Sequence, residues 1–419
     1  MHSVTKCFVL LQITLMSVSC SETPTAINEK TNNGSPQAEV PVAAQSHNEL
    51  NDEEIAAGWI KLFDGETLYG WKANSDLNWR VEKGVIIADE GSPGLLVTTT
   101  PFADYELRCD YRLESGGNSG VFLRTVFSPK NPAEDCYELN MCDTHESFPT
   151  GSLVARQKGK PGISADGVWN SFHVTVKGLT ILAKLNGETV LDYTDKPKTA
   201  RMIGRIGLQM NGGKIEFRNV FLKPLRMTEI FNGKDLSGWK PVSGAKTEFT
   251  VSDEAVHLKG GPGFLQTDDV WQHFVLQAEA RTNAKNVNSG IFFRSMPGTE
   301  QEPSNGYELQ IHNGFADGDR TKPNDFQTGF GTGAIFRRQK VRKVVSNDNE
   351  WFTLTLIAHG AHFSTWVNDF QVTDWTDNRE LHENPRSGLR REAGHFILQA
   401  HDATTDVSFR NLRVVKLPK

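Results

Sequence analysis

A chain of 419 residues, 37% of them hydrophobic, has room for about two domains that each bury a core of their own. Its 45 basic residues against 51 acidic ones leave a net charge of −6, and with a pI near 6.1 there is no broad positive field to hold nucleic acid or an acidic membrane surface. Both are excluded as partners.

Reading from the N-terminus, Lys6 precedes an apolar run from Phe8 to Met16, broken only by Gln12 and Thr14, and then Ser17-Val18-Ser19-Cys20. The run is too short to span a bilayer as a mature helix, so residues 1–20 are expected to be an export signal. The small residues before Cys20 resemble the lipobox of bacterial lipoproteins, although Ser17 stands where that motif prefers Leu; Cys20 is then the lipidation site, with an ordinary secretory peptide as the alternative. The expectation is a periplasmic or cell-envelope protein that meets a membrane only through a lipid on Cys20. Residues 21–57, rich in Asn, Ser, Thr, Pro and Glu, bury too little to fold and read as a flexible tether.

Beyond the tether the chain says the same thing twice. Phe63-Asp64-Gly65-Glu66-Thr67-Leu68-Tyr69-Gly70-Trp71 returns as Phe231-Asn232-Gly233-Lys234-Asp235-Leu236-Ser237-Gly238-Trp239. Asn118-Ser119-Gly120-Val121-Phe122-Leu123-Arg124 returns as Asn288-Ser289-Gly290-Ile291-Phe292-Phe293-Arg294, and Tyr137-Glu138-Leu139 as Tyr307-Glu308-Leu309. Arg156-Gln157-Lys158 matches Arg338-Gln339-Lys340, and Phe217-Arg218-Asn219 matches Phe409-Arg410-Asn411. Each widening of the spacing is an insertion in the second copy. A period this long means two whole domains, residues 58–225 and 226–418.

Within each copy, short apolar or alternating runs are bounded by Gly, Asn, Asp and Pro, as in Tyr105–Asp110, Phe274–Glu279, Tyr307–His312, Phe352–Ile357, His362–Val367 and His395–Gln399. No helical period is sustained. The pattern predicts all-β domains, two antiparallel sheets packed as a sandwich or jelly roll, with little helix. Three cysteines fall in the domains, Cys109, Cys136 and Cys142. The last two sit roughly 20 Å apart if Tyr137–Met141 is a strand, which bars a bond between them and leaves one to Cys109 open. No Cys-x-x-Cys or His-Glu-x-x-His spacing occurs, so a recognisable zinc site is not expected. Trp71, Trp239, Trp169 and Trp351 read as core.

Strand parity gathers the chemistry. Glu308, Gln310 and His312 share one face of their strand, Asn288, Phe292 and Arg294 share one of theirs, and Gln399 lies with His401. If the three strands are neighbours, a carboxylate, a guanidinium, amides and two imidazoles converge on one sheet face, in outline a small-molecule site. Copy one repeats it as Glu138, Asn140 and Cys142, then Asn118, Phe122 and Arg124, then Gln209 and Asn211; both histidines are lost, with Asp143 and His145 just beyond the strand. Arg338 and Lys340, kept as Arg156 and Lys158, are candidate substrate contacts. The bland readings are a solvated polar face for Gln310, Asn140 and Gln399, a cross-strand ion pair for Glu308 with Arg294, and surface histidines for His312 and His401. The loop Asp317-Gly318-Asp319-Arg320 lacks the remaining ligands of a calcium loop.

Taken together, Phe-[Asp/Asn]-Gly-x-x-Leu-x-Gly-Trp, Asn-Ser-Gly-x-Phe-x-Arg, Tyr-Glu-Leu and the closing Phe-Arg-Asn resemble the 3-keto-disaccharide hydrolase family over nearly all of both copies. The resemblance implies tandem concanavalin A-like jelly rolls and cleavage of glycosides already oxidised to a 3-ketone, a small carbohydrate substrate. The ketone acidifies the C2 proton, so a base can remove it, the C1 substituent can leave, and water can add back. It further implies Glu308 and Glu138 as candidate bases or metal ligands, Arg294 and Arg124 as contacts to the sugar or enolate oxygen, His312 or His401 as the acid, and a divalent metal as one form the electrophile could take. A tandem carbohydrate-binding protein without catalysis is the alternative. Asn140 in place of the usual Gln, and His312-Asn313 in place of an Asp-bearing turn, leave open which copy is active.

Overall fold

Strands that alternate apolar and polar residues need a cover for the apolar face, and each copy provides it by folding into two facing sheets. The computed structural model describes residues 47–160, 167–324 and 329–419, so the expected signal, Cys20 and most of the expected tether lie outside the described residues. Residues Ser46–Lys419 form one compact unit. In copy one a five-stranded front sheet runs in the order Trp71–Ala73, Gly94–Thr98, Arg205–Met210, Ser119–Thr125, Tyr137–Met141. The front sheet of copy two repeats that order as Trp239–Pro241, Gly263–Thr267, His395–Ala400, Ser289–Ser295, Tyr307–Ile311. Each front sheet faces an eight-stranded back sheet, and all strand pairs are antiparallel. The fold is the all-β pair of tandem jelly-roll sandwiches that the alternation predicts. A single short helix, Asp52–Ala56, occurs among the described residues.

Parity sorts the front strands as expected over most of their length. Val121, Leu123, Tyr137, Leu139, Met141 and Leu208 meet Leu107, Cys109, Tyr111, Phe172 and Phe217 in the core of copy one. The apolar core of copy two is built in the same way around Ile291, Phe293, Leu309 and Leu398.

Three expectations are corrected. The tether does not extend to residue 57: the Asn48 and Asn219 side chains each accept from the other's backbone N–H at 2.6 and 2.8 Å, and Asn51 and Glu54 close a capping box on the short helix. Leu50, Ile55, Trp59 and Phe221 then pack together, and Glu54 pairs with Arg108 at 2.6 Å. Among the described residues the pairing left open for Cys109 is not made: Cys109 is in the core between the sheets while Cys136 packs with Leu95, Val97 and Phe122 on the opposite side of the front sheet. Trp71 and Trp239 are core, but Trp169 and Trp351 are half-buried at the surface, where Arg218 and Arg410 lie 4.0 and 4.1 Å over their rings.

The two copies are docked through copy two's back sheet. Trp366 Nε1 donates to the Lys61 carbonyl at 2.9 Å, Lys61 pairs with Asp369 at 2.9 Å, Arg342 pairs with Asp64 at 2.8 Å, and the Thr100 and Ser364 hydroxyls meet at 2.6 Å. Val275, Ile357, Trp366 and Leu417 of copy two join the core of copy one.

Arg124 and Arg294 break the parity that would aim them at the polar face. Each adopts a left-handed backbone (φ 48°) where the register of the front sheet slips, so the side chain turns into the interior. Arg294, fully buried, donates to the carbonyls of Gln272 (2.8 Å), Gly360 (2.7 Å) and Arg390 (3.1 Å), and burial pushes its guanidinium down to about 10. Arg124 donates to the carbonyls of Ala103, Gly178 and Arg201 and to the Asp104 carboxylate at 2.7 Å. Both cations hold strands and loops together at positions where they cannot touch a sugar. Arg124→Met removes one of the two cations on the mostly buried Asp104, leaving Arg226 at 2.9 Å, and is expected to cost about 3 kcal/mol. Arg294→Met leaves only carbonyls behind and is expected to cost less, about 2 kcal/mol. Urea unfolding of the two variants checks the order, and equal losses would contradict it.

Candidate functional site

With the arginines removed, the polar face of each front sheet reduces to a short cross-strand row. In copy two, Gly290 lies opposite Gln399 on one side and opposite Gln310 on the other, and Phe292 lies opposite Glu308 one step along. Gly290 is the floor. A Cβ there would stand 3.0 Å from Glu308 Oε1 and 3.1 Å from its Cγ, so any side chain would fill the space beside the carboxylate. Gln310 Nε2 donates to Asn288 Oδ1 at 2.7 Å, which aligns both amides. The Oε1 atoms of Gln310 and Gln399 are buried and have no hydrogen-bond partner among the described residues. Two orphaned acceptors flanking a bare glycine suit donors from outside the chain, such as sugar hydroxyls.

Glu308 is 8% exposed and faces a second space, a cavity of about 80 Å³ lined by Gly306, Tyr307, Phe336, Arg337, Arg338, Pro385 and Arg386. Arg338 Nη2 donates to the Arg386 carbonyl at 2.7 Å, while Arg386 Nε and Nη2 donate to the carbonyl and hydroxyl of Ser304, both at 3.0 Å. Lys340 is exposed with its Nζ over the Phe330 ring and does not line this cavity. Larger cavities, about 650 and 420 Å³, lie by the N-terminal helix and by the connection between the copies. The first is lined by groups already paired to each other, Lys61 with Asp369 and Glu279 with Arg410, and the second is lined by none of the front-sheet amides and carboxylates described here.

The two imidazoles of copy two stand at the end of the same strands in unequal settings. His312 is 5% exposed; its Nδ1 accepts from the Gly314 N–H at 3.2 Å, and its own backbone N–H donates to Thr332. Asn313 is structural, tied to Thr282, Thr332 and Ser346. His401 is exposed, with Nδ1 2.8 Å from Asp402. Asp402 was missed from sequence, where an Asp following a histidine in a polar turn carries no signal of its own.

Copy one keeps the row and loses its surroundings. Asn140 lies opposite Gly120, but its amide donates to the Phe148 carbonyl and is taken up by the loop. His145 accepts the backbone N–H groups of Ser147 and Phe148, and Asp143 accepts from Thr150, so both organise that loop rather than replace the lost imidazoles. Asn118 is half-buried beside Gly120, and its carbonyl accepts from the backbone N–H of the exposed Asn211 at 3.0 Å. Arg156 is spent on the carbonyls of Pro132 and Ala133 and lies 4.4 Å over Tyr137. Glu138 stays in position beside the Leu95, Val97, Phe122 and Cys136 cluster. Burial lifts its carboxyl from 4.5 to about 7, against the pull of a hydrogen bond from Gln209.

The described residues hold no group of three or more His, Cys, Asp or Glu side chains placed to take one metal ion. Asp317 and Asp319 of the Asp-Gly-Asp-Arg loop lie 3.6 Å from Lys322.

The raised Glu138 carboxyl ties stability to pH. Its folded value exceeds the unfolded one, so the stabilisation is complete below about 4.5 and is lost as pH rises through 7. Glu138→Gln should therefore gain on the native chain between those values, on the order of 2 to 3 kcal/mol. Urea unfolding at pH 4, 6 and 8 measures the difference; a pH-independent gap would assign the shift elsewhere.

The sequence model of the 3-keto-alpha-glucoside-1,2-lyase-like domain matches residues 58–223 and again residues 226–415. A 3-keto-disaccharide hydrolase of Bacteroides thetaiotaomicron is 26% identical over 230 residues, 41% of this chain and 79% of that protein. A crystal structure from Parabacteroides distasonis, assigned as a glycosyl hydrolase, has 25% identity and a TM-score of 0.38 and covers 43% of this chain and 100% of its own. A carbohydrate-binding module of Bacillus subtilis has 16% identity and a TM-score of 0.30, covering 37% and 95%. Matched over both of its halves, the chain belongs to the 3-keto-alpha-glucoside-1,2-lyase-like family and is an enzyme of that hydrolase and lyase class.

Proposed function

We propose that the chain cleaves 3-keto-glycosides and that copy two holds the complete site. The observation that carries this reading is the pair of orphaned amide oxygens on Gln310 and Gln399, set on either side of the bare Gly290 and next to Glu308. A sugar ring resting on Gly290 offers its hydroxyl hydrogens to those two acceptors. Glu308 is then the base for the C2 proton, made acidic by the neighbouring ketone. Asn288 and Gln399 supply neutral N–H donors near the developing enolate oxygen. His401, held by Asp402 through Nδ1, gives a proton to the departing C1 oxygen; in the hydration step His401 takes a proton from the water that adds to C1 while Glu308 returns its proton to C2. In electron terms the C2–H pair becomes the C1–C2 double bond as the C1–O bond breaks.

Copy one keeps a carboxyl near neutrality, which is a base's requirement at pH 7, but not the imidazoles or the second amide. Its contribution is read as lesser.

Incubation of residues 21–419 with a 3-keto-glucoside, following release of the leaving group, tests the reading. Glu308→Gln is expected to lower turnover about 10²- to 10⁴-fold, with Glu138→Gln far milder. The reverse ranking would move the site to copy one, and sugar binding without release from any aglycone would leave a binding protein. Export is part of the proposal, motivated by the apolar run Phe8–Met16 ahead of Cys20. Labelled palmitate should enter the native chain and not Cys20→Ser; no labelling of either would remove the lipid anchor.

A further inference from the structure

Between Asp377 and the last front strand the second copy has residues 378–394 where the first, after Asp195, has only residues 196–204, a net insertion of eight residues. Its position is informative, because it delivers Arg386 and Pro385 to the rim of the Glu308 cavity. Arg337 and Arg338 line the same space from the other side. None of these three arginines forms an ion pair with a carboxylate among the described residues. Asp377, the acidic group at the start of the insertion, is taken up by Arg379 at 2.8 Å and by the Tyr307 hydroxyl at 2.7 Å.

The result is a local excess of positive charge in a chain whose net charge is −6. Burial first, and after it the Arg379 cation, hold the Arg338 guanidinium below its usual range against the opposing pull of Asp377 and Tyr307, with Arg337 adding a smaller repulsion. An anion in the cavity would relieve that repulsion. The donors suit one planar anion. Arg386 spends Nε and Nη2 on Ser304 and keeps Nη1, and Arg338 spends its two Nη atoms on the carbonyls of Arg337 and Arg386 and keeps Nε. About 80 Å³ is the space of two or three waters, enough for a carboxylate and too small for a second sugar ring.

Copy one provides the internal contrast. Ala155 stands in place of Arg337, both with a left-handed backbone, and Arg156 is bonded to the carbonyls of Pro132 and Ala133. The insertion is absent, and Leu95, Val97, Phe122 and Cys136 make an apolar cluster beside Glu138. The two copies therefore present opposite surroundings to the same carboxylate.

We propose that copy two recognises glycosides bearing a carboxylate, of the uronic acid type, with the carboxylate seated against Arg338 and Arg386 while the reacting ring lies over Gly290 beside Glu308. The assignment rests on the site described under Proposed function, but it concerns recognition and is tested by binding alone. Arg386 is exposed and lies on a surface insertion, so its replacement leaves the sandwich intact.

Calorimetric titration of residues 21–419 with p-nitrophenyl β-glucuronide, p-nitrophenyl β-glucoside and a 6-sulfated p-nitrophenyl glucoside separates the outcomes. The glucuronide should bind about tenfold or more tightly than the glucoside, the margin of one charge-assisted contact, and the margin should shrink at high salt. Arg386→Gln should remove most of it and Arg386→Lys should keep part. Equal binding of glucuronide and glucoside, or a preference that survives Arg386→Gln combined with Arg338→Gln, overturns the proposal. Tighter binding of the sulfated sugar than of the glucuronide overturns the carboxylate assignment. Release from a neutral 3-keto-glucoside, measured in parallel, reports on the cleavage reaction separately, so each reading can fail without the other.

Discussion

A guanidinium that cannot leave the interior fixes the front sheet of each copy. Arg124 and Arg294 accept a left-handed backbone, a cost of order 1 to 3 kcal/mol for a residue with a Cβ. Three backbone carbonyls from separate segments offset that cost in each copy. The bulge they stabilise ends the regular pairing of the Asn-Ser-Gly strand. Everything before it, from Asn288 to Phe292, keeps strict alternation, so the floor glycine and its flanking amides stay in register with Glu308.

The duplication freed the copies to diverge around a shared scaffold. The back sheet of copy two is spent on docking, through Trp366, Asp369 and Ser364 against the N-terminal edge of copy one. Those contacts engage neither front sheet, so neither candidate face is consumed by the junction. Copy two has longer loops and more arginines around its face, whereas copy one has apolar side chains beside its carboxylate. The difference lies in loops, where chain can be added at little thermodynamic cost.

Much of the site was legible as parity. Glu308, Gln310 and Gln399 were placed on one face because side chains alternate, and the structure brings them around Gly290. The arginines were misread for the same reason: alternation holds only while register holds, and a bulge flips it without any local signal in an Asn-Ser-Gly-x-Phe-x-Arg string. Trp169 and Trp351 were read as core because an aromatic at a strand start usually is, yet arginines from adjacent strands cover them at the surface. Arg386 could not be found, since it has no counterpart in copy one and lies in a segment with no strand pattern.

The sequence by itself determined the duplication, the all-β class, the apolar face of each strand and the carboxylate and amides of the candidate row, because these follow from local periodicity and from comparing one half of the chain with the other. Only the tertiary structure decided which polar residues meet a ligand and which hold the interior. That choice depends on where the register slips, on which carbonyls surround a buried cation, and on which loop closes over which face. Contacts between segments far apart in the chain leave no periodic trace in its sequence.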